Sequence, residues 1–202
     1  TWSVPYLLDL KINKNINAPN KAKLIFILSF IVILLCQMPY FLNFYPGLLS
    51  IDSVSQLNTI INGFSNLSDH HPVMHTLFVA IPYYIGFGLS NSIETGVAFS
   101  SFTQMVCLSL TFAYLIKFLY ERNVNKLALT AIVIFYAFLP VFGYYSITMW
   151  KDVMFGGFLL LLTIETVKLI DKKDEDNLSF EELFKFTLIS LLCVFFRNNA
   201  IY

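Results

Sequence analysis

YPGLLSIDSVSQLNTIINGFSNLSDHHPVMH, residues 45–75, is the one long polar segment between apolar runs, and its reading decides the fold. It holds Asp52, Asp69 and all three histidines, His70, His71 and His75. No Lys or Arg occurs from Leu24 to Ile116, so the two carboxylates have no cation near them in sequence. A polar stretch flanked by runs long enough to cross a bilayer is expected to be a loop at the membrane surface, with its polar groups in water.

The rest of the chain agrees with that placement. The 202 residues are 57% hydrophobic and only 13% charged, against about 25% charged in soluble domains, and the mean hydropathy is +0.68. Formal net charge is +0, which excludes the basic face that nucleic-acid binding needs. Cys36, Cys107 and Cys193 each sit inside an apolar run at unrelated spacings, as small hydrophobes do in a core and as disulfides or metal ligands do not. The chain starts at Thr1 and stops at Tyr202 just after a polar cluster, so the expectation is the N-terminal part of a longer protein. No linker or repeat divides it, and residues 1–202 are read as a single transmembrane domain.

Lys11, Lys14, Lys21 and Lys23 precede the first apolar run, which places the N-terminus in the cytoplasm by the positive-inside rule. A first span over 24–42 then delivers an outer loop, residues 43–90. Within it SIDSVSQLNTII predicts a short amphipathic helix capped by Ser50. Ile51, Val54, Leu57 and Ile61 would form its apolar face, with Asp52, Gln56 and Thr59 toward water. The run 73–89 is nearly long enough to span but contains Pro82, Gly86 and Gly88. If it spanned, the basic loop with Lys117, Arg122 and Lys126 would lie outside. An interfacial or re-entrant segment keeps that loop inside and is preferred. Further spans are expected at 95–116, 127–144, 153–170 and 183–196. The predicted architecture is an all-α polytopic helical bundle whose large outer loop contains short interfacial helices. Glu165, inside a span, is expected to snorkel or to pair with Lys168.

This parity brings Lys151, Asp152 and Arg197 to the face that carries Asp52 and Asp69. Asp52 is the candidate general base, because partial desolvation beside a bilayer raises a carboxylate toward working pH. Its alternative is the solvated side of an amphipathic helix. Asp69, His70 and His71 are candidate substrate or phosphate ligands, with helix capping as the other reading of the histidines. Lys151, Asp152 and Arg197 complete that set, since an isolated charge at a span end must pair or bind a ligand. Arg197 suits phosphate through its planar fork.

The order of these residues resembles the GT-C superfamily of multi-span glycosyltransferases that use polyprenyl-phosphate sugars, such as protein O-mannosyltransferases and the aminoarabinose transferase of lipid A. In that superfamily an early catalytic Asp follows the first span, as Asp52 does in YPGLLSIDS. A His-Pro-Pro-Leu or Lys-Pro-Pro-Leu motif follows, and His71-Pro72-Val73-Met74 is similar to it. A later span opens on a polar residue and Asp, like Lys151-Asp152, and a basic residue ends another, like Arg197. The resemblance covers the N-terminal half of such enzymes.

It implies inverting transfer of a sugar from a polyprenyl-phosphate donor to an extracytoplasmic acceptor, a cell-envelope polymer, lipid or protein. Asp52 would be the base and Arg197, Lys151, His70 or His71 would stabilise the leaving phosphate. An apolar groove between the spans and residues 73–89 would hold the lipid tail. The Asp-Glu pair frequent in the family is absent, Ser53 following Asp52, so the resemblance gives only weak support to a divalent metal there. Two rivals remain. A lipid or headgroup transporter would use the same charges but show polar residues in mid-span. A metal-dependent membrane hydrolase would use His70, His71 and His75 as ligands.

Overall fold

The computed structural model describes residues 19–64, 71–172 and 178–197. These residues form eight helices: α1 (Pro19–Asn43), α2 (Ile51–Ile61), α3 (Val73–Ser90), α4 (Ile93–Glu121), α5 (Lys126–Phe138), α6 (Pro140–Ser146), α7 (Lys151–Lys172) and α8 (Phe180–Phe196). Their only β pairing is an isolated bridge between Leu48 and Thr148. The fold is an all-α bundle. Four helices, α1, α3, α4 and α7, are long and apolar enough to cross a membrane, and α5 with α6 makes a fifth if that bent pair counts as one. By length and composition this is a membrane protein.

α4 is the central post. Its 29 residues extend about 43 Å at 1.5 Å per residue, well beyond the ~30 Å hydrocarbon layer. α1 packs antiparallel to it, Gln37 opposite Ser109 and Phe41 opposite Phe102, so the last turn of α1 is level with the third turn of α4. α3 packs on the overhanging N-terminal part. Ser100 Oγ donates to the Val79 carbonyl at 2.8 Å, and Gly86 lies against Thr95 and Phe99. α3 is one unbroken helix despite Pro82, Gly86 and Gly88, and Gly86 of α3 and Gly96 of α4 are contact points between the two helices: a Cβ at either would come within 2.6 Å of the facing helix.

The span expected at 127–144 is instead broken. α5 and α6 meet at 55°. Pro140 has no amide hydrogen to give the helix, and its ring drives Leu139 out of the helical region, to φ −69°, ψ 121°; Pro140 then opens α6, where its missing donor costs nothing.

Polar side chains also lie between the spans. Gln37 is fully buried, accepts from Ser109 Oγ at 3.3 Å and reaches the Tyr136 carbonyl at 3.5 Å. It ties α1, α4 and α5 by hydrogen bonds, as polar residues do between helices in lipid.

Most of the remaining charge gathers at the end of the bundle where α4 finishes. Arg122 pairs with Asp171, Lys172 with Glu182 at 2.8 Å, and Lys117 with Glu121 at 3.7 Å. Glu165 accepts from Tyr114 at 2.6 Å and pairs with Lys168 at 2.8 Å, as its sequence position suggested. Lys21 of α1 and Lys126 of α5 line one groove at this same end.

Candidate functional site

At the opposite end two loops that enter helices are bonded side by side. Leu48 N donates to the Ile147 carbonyl and Met149 N to the Leu48 carbonyl, both at 3.0 Å. The strand of chain after α1 therefore runs parallel to the one after α6, and each continues directly into a helix, α2 and α7. The registration pairs Leu48 with Thr148. Asp52 and Asp152 consequently take equivalent places, the second residue of each helix, where the positive end of the helix dipole favours a carboxylate.

Three side chains lock this arrangement. Ser50 and Ser53 form a reciprocal capping box at the start of α2. Ser53 Oγ also donates to the Met149 carbonyl, joining α2 to the loop before α7. Gln104 of α4 directs its amide at the carbonyls of Tyr145, Ser146 and Thr148, at 3.1, 3.1 and 2.6 Å. Gly47 adopts φ +134° and packs on Ser101, leaving no room for a side chain.

Four of the sequence candidates meet here. Lys151 Nζ lies 3.7 Å from Asp52 Oδ2, and Arg197 Nε lies 3.5 Å from Asp152 Oδ1. Lys151 and Asp152 are neighbours, so the charges alternate from α2 across α7 to the end of α8. Arg197 is delivered by Phe196, which is buried against His75, Phe78 and Phe158 with ring centroids 5.8, 5.7 and 4.7 Å away. The guanidinium sits 5.2 Å from the centre of the Phe155 ring. The cations thus pair with carboxylates, one of the two fates open to charges at span ends. Asp52 is partly buried, its side chain 40% exposed.

The buried face of α2 coincides with the expected apolar face only at Leu57: Ser53, Gln56 and Ile60 are buried beside it, whereas Ile51 is 91% exposed and Val54 and Ile61 also face outward. Gln56 is the reason. Its Oε1 meets His75 Nδ1 at 3.0 Å and its amide donates to Thr76 Oγ1 at 2.9 Å, and Thr76 donates on to the Pro72 carbonyl. This network was missed because it joins residues 19 and 20 positions apart. His75 is wholly buried, and among the described residues nothing hydrogen-bonds its Nε2. His71 is buried close by; it does not cap α3, whose N-cap is Pro72 without a side-chain bond. Asp69 and His70 lie outside the described residues. Among the described residues no three His, Cys, Asp or Glu side chains are grouped to hold a metal.

A cavity of about 510 Å³ opens beside the charges, walled by Leu108, Phe112, Tyr136, Phe142 and Val153 and reached by Asp152. Trp150 and Tyr145, stacked 6.3 Å apart, also line it. It lies between α4, α5, α6 and α7, and no α3 residue lines it, so it is distinct from the groove expected along residues 73–89. One sequence signal pointed to the paired loops: the seven-residue interval from Tyr45 to Asp52 recurs from Tyr145 to Asp152.

Residues 62–202 match the family described as a family of unknown function (DUF6020), and the chain belongs to that family. No curated protein and no solved structure matches it.

Proposed function

We propose that this chain carries the catalytic end of a membrane glycosyltransferase of the GT-C type, working on a polyprenyl-phosphate sugar. The observation that carries the reading is the alternating set Asp52, Lys151, Asp152 and Arg197 at the mouth of an apolar cavity. A donor of that kind has an apolar tail, an anionic phosphate and a neutral sugar. The cavity suits the tail, and the fork of Arg197 with the ammonium of Lys151 suits the phosphate.

In the proposed reaction the acceptor hydroxyl attacks the anomeric carbon, and the carbon–oxygen bond to phosphate breaks. The electron pair leaves with the polyprenyl phosphate, and Asp52 takes the hydroxyl proton. The cations offset the charge that grows on the leaving group. Donor phosphate would compete with Asp52 and Asp152 for them. The separations of 3.5 and 3.7 Å exceed the ~2.7–2.9 Å of a tight charged hydrogen bond, which leaves both cations able to turn to a ligand.

The same reading puts this end outside the cytoplasm and the N-terminus inside. Its support is that Lys21, Arg122 and Lys126 gather at the other end, and that α3 packs on the overhang of α4, which suits an interfacial or re-entrant helix. Gln37 does not favour the transporter, since it is enclosed between helices.

Membranes containing the full-length protein or Asp52→Asn are supplied with a panel of radiolabelled polyprenyl-phosphate sugars. Transfer to endogenous acceptor should fall about 10²–10⁴-fold in the variant at equal expression, the usual contribution of a positioned base. Undiminished transfer would remove Asp52 from the chemistry, and no transfer from any donor by the wild type would reject the transferase.

A further inference from the structure

A second groove, at the basic end of the bundle, is independent of the charged site and of the transferase reading. It has a volume of about 480 Å³ and runs between α1, α4 and α5 over Leu24, Ile25, Ile116, Leu129 and Val133. Lys21 and Lys126 stand at its rim.

Most lysines at this end are matched: Lys117, Lys168, Lys172 and Lys185 each face a glutamate. Lys21 and Lys126 are exposed and, among the described residues, face no carboxylate. Lys21 is the third residue of α1 and Lys126 the first of α5. Both helices start at this rim, and neither has an acid in its first turn, so two positive dipole ends add to the two ammonium groups. Of the other helix starts, α2, α4, α7 and α8 carry Asp or Glu in the first turn, and α3 and α6, which do not, do not line this groove. Positive charge at the rim and an apolar floor lying along the spans match an amphiphile with an anionic head. Basic pockets between membrane helices bind such headgroups.

We propose that this groove binds an anionic phospholipid of the adjacent leaflet, its phosphate between Lys21 and Lys126 and an acyl chain along α1 and α5. The full chain in detergent micelles, with phosphatidylglycerol and phosphatidylcholine in equal amounts, is examined by native mass spectrometry. Wild type should retain phosphatidylglycerol about 30-fold over phosphatidylcholine, the equivalent of about 1 kcal/mol for each lysine. Lys21→Gln with Lys126→Gln should abolish the preference. Lys117→Gln, which removes an equal charge already facing Glu121, should leave it within about twofold, the expectation for an exposed pair. Leu24→Trp, at a 54% exposed position on the groove, should obstruct the chain and lower retention with both lysines present. Three outcomes overturn the proposal: retention unaffected by the double variant, equal loss in Lys117→Gln, or displacement by excess soluble glycerol phosphate.

Discussion

Asp52 is held by its neighbours more than by its own contacts. Ser53, the next residue, is 1% exposed and bonds both the α2 cap and the Met149 carbonyl, so it fixes where the Asp52 carboxylate stands relative to Lys151. Ser53→Ala removes both bonds and leaves a buried carbonyl unmatched. The expected loss is about 1–3 kcal/mol, read as a lowered midpoint of thermal unfolding in detergent. If the transferase reading holds, transfer should fall at temperatures where the variant is still folded, because Asp52 and Lys151 lose their registration. The Ser50 cap was readable from sequence, since capping is local chemistry. The role of Ser53 was not, because its partner lies 96 residues away. The same limit applies to α2 as a whole. Its apolar periodicity marked a helix correctly, but periodicity ranks faces by hydrophobicity, and here Gln56 turns inward to satisfy His75 and Thr76.

At the scale of elements, the hairpin of α3 and α4 depends on two close approaches. Adding a Cβ at Gly86 meets the Thr95 carbonyl at 2.6 Å, which is backbone and cannot swing aside, and at Gly96 it meets the Tyr83 ring at 2.6 Å. Gly88 lies on the same helix with nothing within 4 Å. Gly86→Ala should therefore cost about 1–3 kcal/mol through overpacking. Gly88→Ala should be neutral or stabilising by up to ~1 kcal/mol, from helix propensity alone. Thermal unfolding of the two variants side by side checks this, and equal effects would mean that α3 does not sit against α4 at this register. Sequence reading saw Gly86 and Gly88 as helix interruptions. Single-sequence patterns do not distinguish a glycine that breaks a helix from one that admits a neighbour, and only the facing helix decides. Pro140 is the opposite case: its local rule was available, and an apolar run continuing on both sides obscured it.

For the whole molecule the outstanding question is what α3 does in the bilayer. By composition it qualifies as a span, yet its contacts run along the first half of α4, from Val79 at Ser100 to Gly86 at Thr95. α1 reaches its last turn at Phe41 opposite Phe102. In the proposed topology α3 extends along α4 past the last turn of α1 and lies at the surface of the layer that α1 crosses. Its exposed Leu77, Ile81 and Leu89 suit the interface, and this parity leaves Lys21, Arg122, Lys126 and Lys172 on one side, as the positive-inside bias favours. Single cysteines at Asn62, Ser90 and Leu178, with Cys36, Cys107 and Cys193 replaced by Ala, distinguish the topologies in intact cells. A membrane-impermeant maleimide added outside should label Asn62→Cys and Ser90→Cys but reach Leu178→Cys only after permeabilisation. Labelling of Asn62→Cys and Ser90→Cys from opposite sides of the membrane would mean that α3 crosses. The pairing of Ser100 with Val79 and the gathering of basic residues at one end would then not coexist in the membrane, and the placement of Asp52 outside would lose its support.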